Sequence, residues 1–311
     1  MPLVTSKEML QKAYREGYAV GAFNINSMEA LRGITAAAKK LNAPVIIQVL
    51  ESVYLRLGPT YLKKLIEAAV DETGLPICLH LDHGSSYKIC KECIDHGFTS
   101  VMIDGSHLPL TENIILTKSV VNYAHAHGID VEAELGSISG SEELQAINYT
   151  AAYTSPDEAA EFVKETGCDS LAISIGTSHG AYKFRPGTNP ELRIDILDEV
   201  SERIPGVPIV LHGASSVPQD AVRKINQYGG EISNAIGIPE SQLRVAAQKA
   251  VCKINVCTDQ LITMTGCVRE ALATHPDQFN SDCYLVPAEA EIEKLVSGKI
   301  LNILGCAGKA E

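Results

Sequence analysis

Three histidines sit at the ends of apolar runs, each followed by glycine or a small residue. They are His83 in LDHG (81–84), His179 in GTSHG (176–180) and His212 in LHGAS (211–215). Neutral imidazole is the commonest metal ligand, and three protein ligands with one open position make a catalytic zinc site. A single histidine at a strand end is more often a capping or core side chain than a ligand. Three at the same place in a strand-loop unit, with 33 residues, about one strand-helix-strand repeat, between His179 and His212, point to one shared metal. The other histidines, at 80, 96, 107, 125, 127 and 275, include some in polar helix-like stretches, which read as solvated surface.

Carboxylates fall in the same places. Asp82 directly precedes His83, so on an extended strand end the two side chains diverge. A carboxylate there can serve as acid or base on a substrate hydroxyl; the competing reading is one that orients a metal ligand. Asp104, Glu132 and Glu134 also end apolar runs, and Glu132 and Glu134 share a face. Glu134 is expected as an alternative metal position and Asp104 as a ligand to a second cation. The loop GSISGSEEL (136–144) carries Glu142 and Glu143 near its tip. It reads either as a mobile loop that closes over substrate or as a solvated acidic loop. GASS (213–216) and NVCT (255–258) present backbone amides and hydroxyls, which suit a phosphate.

The elements that must position these groups are legible as eight short apolar runs. They are AVGAFNIN (19–26), PVIIQVL (44–50), PICLHLD (76–82), SVMID (100–104), DVEAELG (130–136), SLAISIG (170–176), PIVLHG (208–213) and CKINV (252–256). Between them lie amphipathic segments such as SPDEAAEFVKETG, with a Ser-Pro start and a glycine stop. Eight strand-helix units predict an α/β fold, a (β/α)8 TIM barrel whose active site lies at the C-terminal strand ends. Residues 1–311 are read as a single barrel domain with extra C-terminal helices after 256, PAEAEIEKLVSGKI being the clearest. GGEISNAIGIPESQ reads as an added turn or short helix before the eighth run. Both additions would serve subunit contacts or cover the site.

Composition narrows the function classes. With 311 residues, 45% of them hydrophobic, the chain can bury a large core. Its net charge of -12 leaves no basic surface for polyanions, so nucleic acid is excluded as a partner. No apolar stretch is long enough to span a bilayer, and no membrane partner is expected. The nine cysteines are scattered and no secretory signal precedes them, which fits reduced thiols and a cytoplasmic protein. Cys90-x-x-Cys93 stands alone in a helix-like string and reads as helix packing rather than a metal motif.

LDHG, SVMIDGSH, VEAELG, GTSHGAYK, LHGASSVP and KINVCTD, in this order, resemble the signature strings of the class II zinc-dependent ketose-bisphosphate aldolases, the fructose- and tagatose-bisphosphate group. The likeness covers nearly the whole chain. It implies His83, His179 and His212 as ligands of one catalytic Zn2+, with Asp82 the proton donor and acceptor at the C4 hydroxyl. Glu142 would move a proton at C3. Gly180, Lys183, Gly213, Ser215, Asn255 and Thr258 would hold dihydroxyacetone phosphate, and Asn24 joins the expected substrate-binding residues. Cleavage of a phosphorylated ketose leaves an enediolate whose charge zinc stabilises as a Lewis acid. No lysine Schiff base is needed, and Lys253 is expected to be structural or ionic. A homodimer or homotetramer is likewise implied by the resemblance.

The chain departs from the family pattern at the distal end. After the eighth strand, fructose-bisphosphate members read like NxDTD with an arginine soon after. Here Cys257 takes the aspartate position and Gln260-Leu261 the arginine position; a second arginine, before Tyr284, is replaced by Asp282. A phosphate dianion prefers a bidentate guanidinium. The expectation is therefore a ketose 1-phosphate with an altered distal group. 6-Deoxy-6-sulfofructose 1-phosphate is favoured, its sulfonate held by Gln260 and backbone N–H groups. Tagatose or fructose 1,6-bisphosphate is the second reading, and a non-catalytic sugar-phosphate sensor the third.

Overall fold

The computed structural model describes residues 3–138, 152–181, 190–232 and 235–310. All eight runs become strands: β1 Val20–Asn24, β2 Val45–Leu50, β3 Ile77–Gly84, β4 Ser100–Ile103, β5 Asp130–Leu135, β6 Ser170–Ile173, β7 Ile209–Leu211 and β8 Val251–Val256. They pair in parallel in sequence order and close through β8 onto β1, the expected (β/α)8 barrel. Such strands are buried on both faces, which is why VIIQVL reads as a continuous apolar run rather than an alternation.

The helices are α1 Ser6–Glu16, α2 Met28–Leu41, α3 Glu51–Leu57, α4 Pro59–Thr73, α5 Tyr87–Asp95, α6 Leu110–Ala126, α7 Pro156–Thr166, α8 Ile194–Arg203, α9 Gln219–Gln227, α10 Glu240–Ala247, α11 Thr258–Thr274 and α12 Asp282–Lys299. The predicted start and stop of α7 are both present: Ser155 Oγ accepts from Glu158 N, and Gly167 takes the left-handed φ of 69°. Cys90 and Cys93 are fully buried on α5, as packing residues should be. The added element before β8 is α10, and the C-terminal addition is α12, which packs across α2 and α11 and passes into a π turn at Ile300–Leu304.

One mouth of the barrel is plugged. The Ser6 hydroxyl lies 3.1 Å from Ser100 Oγ, Lys7 N donates to Asp130 Oδ2 at 2.6 Å, and Val4 N donates to Ile77 O at 3.0 Å. Ile77, Ser100 and Asp130 begin their strands, so α1 and the residues before it close the N-terminal end. Chemistry is left to the opposite mouth, where the functional strings emerge. No helix among the described residues is long and apolar enough to cross a membrane.

Candidate active site

His83, His179 and His212 arrive from β3 and from the segments after β6 and β7. Their ligand nitrogens all lie within 4.8 Å of one another. Two rings are oriented by carboxylates. Asp104 Oδ2 is 2.8 Å from His83 Nδ1, and Glu132 Oε1 is 2.7 Å from His212 Nε2. With those nitrogens protonated, the lone pairs of His83 Nε2 and His212 Nδ1 face each other across 2.9 Å. Two acceptors so close repel unless a cation stands between them. A tetrahedral metal at about 2.0–2.1 Å from each nitrogen separates such a pair by about 3.3 Å, so the donor set fits a divalent ion after a small opening. Without a metal, a proton can take that place. Burial opposes the charge, but Asp82, Asp104 and Glu134 outweigh it and push His83 up to about 10. Burial, reinforced by His83, holds His212 well below the ordinary histidine range.

The backbone differs from the extended strand end that the sequence suggests. His83 has φ 50°, and the β3–β4 register shifts between Leu81 and Gly84. A non-glycine residue in the left-handed region is uncommon and marks a constrained site. Asp82 and His83 converge, with Asp82 Oδ1 4.0 Å from His83 Nε2.

Asp82 is buried and fully engaged by neutral amides. Asn24 Nδ2 donates to it at 2.7 Å, Gln48 Nε2 at 3.2 Å and Asn255 Nδ2 at 3.1 Å. Beneath them Lys253, entirely buried, pairs with Glu132 at 2.9 Å and donates to Asn255 Oδ1 at 2.7 Å. Its ammonium is thus the ionic prop expected of it. Asp104 and Glu134 meet His83 in a second group that could hold a cation, again within 4.8 Å. Asp104 also accepts from Ser106 N and Oγ, and although burial opposes it, His83 and Ser106 hold its carboxyl well below the usual range. Glu134 is driven the other way by burial and by Asp104.

Of the expected phosphate residues, Gly180 and Gly213 directly follow His179 and His212, and Asn255 Nδ2 lies 3.3 Å from His212 Nδ1. Gly213 takes φ 59° and packs so close to Ser178 that an added Cβ would lie 2.6 Å from its backbone; only glycine fits there. Ser215 is buried in the same loop, Gly180 has φ 81°, and Thr258 is the first residue of α11, whose amide dipoles favour an anion. Lys183, Glu142 and Glu143 lie outside the described residues.

On the other side of Asn24 is a cavity of about 160 Å³, lined by Asn24, Leu50, Val53, Cys257, Gln260 and Leu261 among others, with no charged side chain among its described lining. Gln260 differs from the expectation. Its Nε2 donates to Val256 O at 2.6 Å, so the amide donor is spent on the backbone just before its own helix, and its Oε1 is buried without a partner among the described residues.

The family model for fructose-bisphosphate aldolase class-II matches residues 4–309. The chain belongs to the class-II fructose-bisphosphate aldolases. As such it is a lyase, an aldolase cleaving a phosphorylated ketose to dihydroxyacetone phosphate and an aldehyde. It is 46% identical to the fructose-bisphosphate aldolase of Treponema pallidum (strain Nichols), with 99% of this chain and 98% of that protein covered. The fructose-bisphosphate aldolase of Giardia intestinalis is 45% identical, with 100% and 95% covered. Among solved structures, the YdjI aldolase from Escherichia coli K12 superposes with a TM-score of 0.79 at 30% identity over the whole of both chains.

Sequence reasoning missed several residues of this aldolase site. Gln48 supports Asp82, and His80 is buried inside the barrel, its Nδ1 2.8 Å from Ser100 Oγ; Glu132 and Lys253 were named, but not that Glu132 orients His212 and Lys253 supports Asn255. The usable signal was alternation. His80, Glu132 and Lys253 each stand two positions before a polar residue already singled out (Asp82, Glu134 and Asn255), and so share its inward face.

Proposed function

We propose that this aldolase uses Zn2+ and cleaves fructose 1,6-bisphosphate, the second of the sequence-based substrate readings. The observation that carries it is Asp82, held by three amides 4.0 Å from the Nε2 of a histidine in a three-histidine cluster. His83, His179 and His212 hold the ion, which supplies Lewis-acid stabilisation of the charge left when the C3–C4 bond breaks. Asp82 takes the proton of the C4 hydroxyl in that step and returns it in the reverse direction. Glu142 delivers a proton to C3, completing dihydroxyacetone phosphate. Gly180, Lys183, Gly213, Ser215, Asn255 and Thr258 hold the 1-phosphate half. Asn24 fixes Asp82 and faces the distal cavity.

The names of relatives at 46% and 45% identity speak for the bisphosphate, and none of them speaks for a sulfosugar. A cation for the distal phosphate is at hand in Arg56, whose Nη2 donates 2.8 Å to the carbonyl of Asn26 on the cavity wall. The test is a side-by-side cleavage assay on fructose 1,6-bisphosphate, tagatose 1,6-bisphosphate and 6-deoxy-6-sulfofructose 1-phosphate. Fructose 1,6-bisphosphate should give the highest kcat/KM, at or above about 10⁴ per molar per second. A higher value for either of the other two overturns the assignment.

A further inference from the structure

Lys299 ends α12, far along the chain from every residue of the site, yet it is only 3% exposed. Its Nζ lies 2.7 Å from Asp259 Oδ2 and 3.0 Å from Glu240 Oε1, and it donates to Ser216 Oγ. Asp259, itself fully buried in the first turn of α11, spends its carboxylate on the loop after β7. Oδ2 accepts from Ser216 N at 3.1 Å and Oδ1 from Val217 N at 2.7 Å. Val217 has φ 54°. For a β-branched side chain that conformation is an outlier, and it persists only where the surroundings enforce it. The two backbone bonds to Asp259 are that enforcement, and Lys299 fixes the carboxylate that makes them.

The strained residue sits immediately after the segment carrying His212, Gly213 and Ser215. We propose that the buried Lys299–Asp259 pair is a positioning device that sets the loop 213–217 in the conformation that receives the substrate's 1-phosphate. This rests on the reading that Gly213 and Ser215 hold that phosphate. The pair touches no substrate itself. Close approach of backbone amides to a dianion tolerates little displacement, and a shift of about 1 Å in a positioning group can cost as much as a hundredfold. Removing the ammonium leaves Asp259 as an uncompensated buried charge, free to draw in water and release Val217 from its strained state.

The test compares Lys299→Met, Lys299→Arg and Ser215→Ala in the whole metal-loaded enzyme, following KM, kcat, bound metal and inhibition by inorganic phosphate. Lys299→Met should raise both KM and the inhibition constant of phosphate about tenfold or more, with kcat within about threefold and metal content unchanged. Lys299→Arg should restore most of the loss, and Ser215→Ala should raise KM on its own. If Lys299→Met keeps a normal KM and phosphate inhibition while Ser215→Ala raises both, the positioning role is overturned and the phosphate reading stands. If neither substitution moves KM or phosphate inhibition, the loop is not the phosphate seat and both fall. Should Lys299→Met be too unstable to assay, the paired Lys299→Met/Asp259→Asn variant removes the buried charge while giving up one of the two loop bonds. The same rise in KM is expected of it, and a normal KM overturns the proposal.

Discussion

Asp104 Oδ2 lies 2.8 Å from His83 Nδ1, and this contact leaves Nε2, on the far side of the ring, as the group that faces His212. It gives Asp104 a second duty besides the cation site expected of it, that of holding a ligand in the required tautomer. Carboxylates that orient a metal-binding histidine typically contribute ten- to a hundredfold in affinity. Asp104→Asn should therefore weaken metal binding by about that factor, read by competition with a chelator. An unchanged metal affinity would mean that the contact is incidental.

Asp82 should behave differently from the ligands. Its partners are amides, so Asp82→Asn preserves the shape of the site and removes the proton-transfer group. Turnover should drop by about a hundredfold or more while bound zinc, counted by elemental analysis, stays at the wild-type level. Loss of the metal in this variant would make Asp82 a ligand or an orienting group instead.

The cysteines should be inert in the folded protein. Eight of the nine are buried, and burial pushes the thiols of Cys78, Cys90, Cys168, Cys252 and Cys306 up to about 12, so hardly any thiolate is present at pH 8. Only Cys283 is partly exposed. Titration of the native protein with a thiol reagent should give one fast-reacting group. Rapid reaction of Cys90 and Cys93 would argue for a redox or metal-binding pair on α5.

The barrel and the strand-end histidines were legible because β3, β6 and β7 announce themselves as apolar runs that break at glycine or a small residue. Their convergence on one cluster follows from eightfold closure. What lay beneath was not legible. Glu132 and Lys253 are buried charged residues, and their contacts explain it: they pair across the barrel, Glu132 also meets His212 Nε2, and Lys253 donates to Asn255 Oδ1. The φ of His83 could not be foreseen, because its neighbour Gly84 is the residue that sequence rules associate with a turn. The pairing of Lys299 with Asp259 joins the ends of two helices, and no local pattern connects them. Cys257, Gln260 and Leu261 line the cavity beside Asn24. The meaning of Gln260 depended on which way its amide turned, and it turns its donor to Val256 O.

The reading of the histidine cluster stands or falls on metal dependence, which can be measured by following fructose 1,6-bisphosphate cleavage before exhaustive chelation, after it, and after adding back Zn2+. Chelation should abolish cleavage and zinc should restore it, with one ion bound per chain and no inactivation by borohydride in the presence of dihydroxyacetone phosphate. Full activity in the chelated protein, or borohydride inactivation through a lysine, would contradict it.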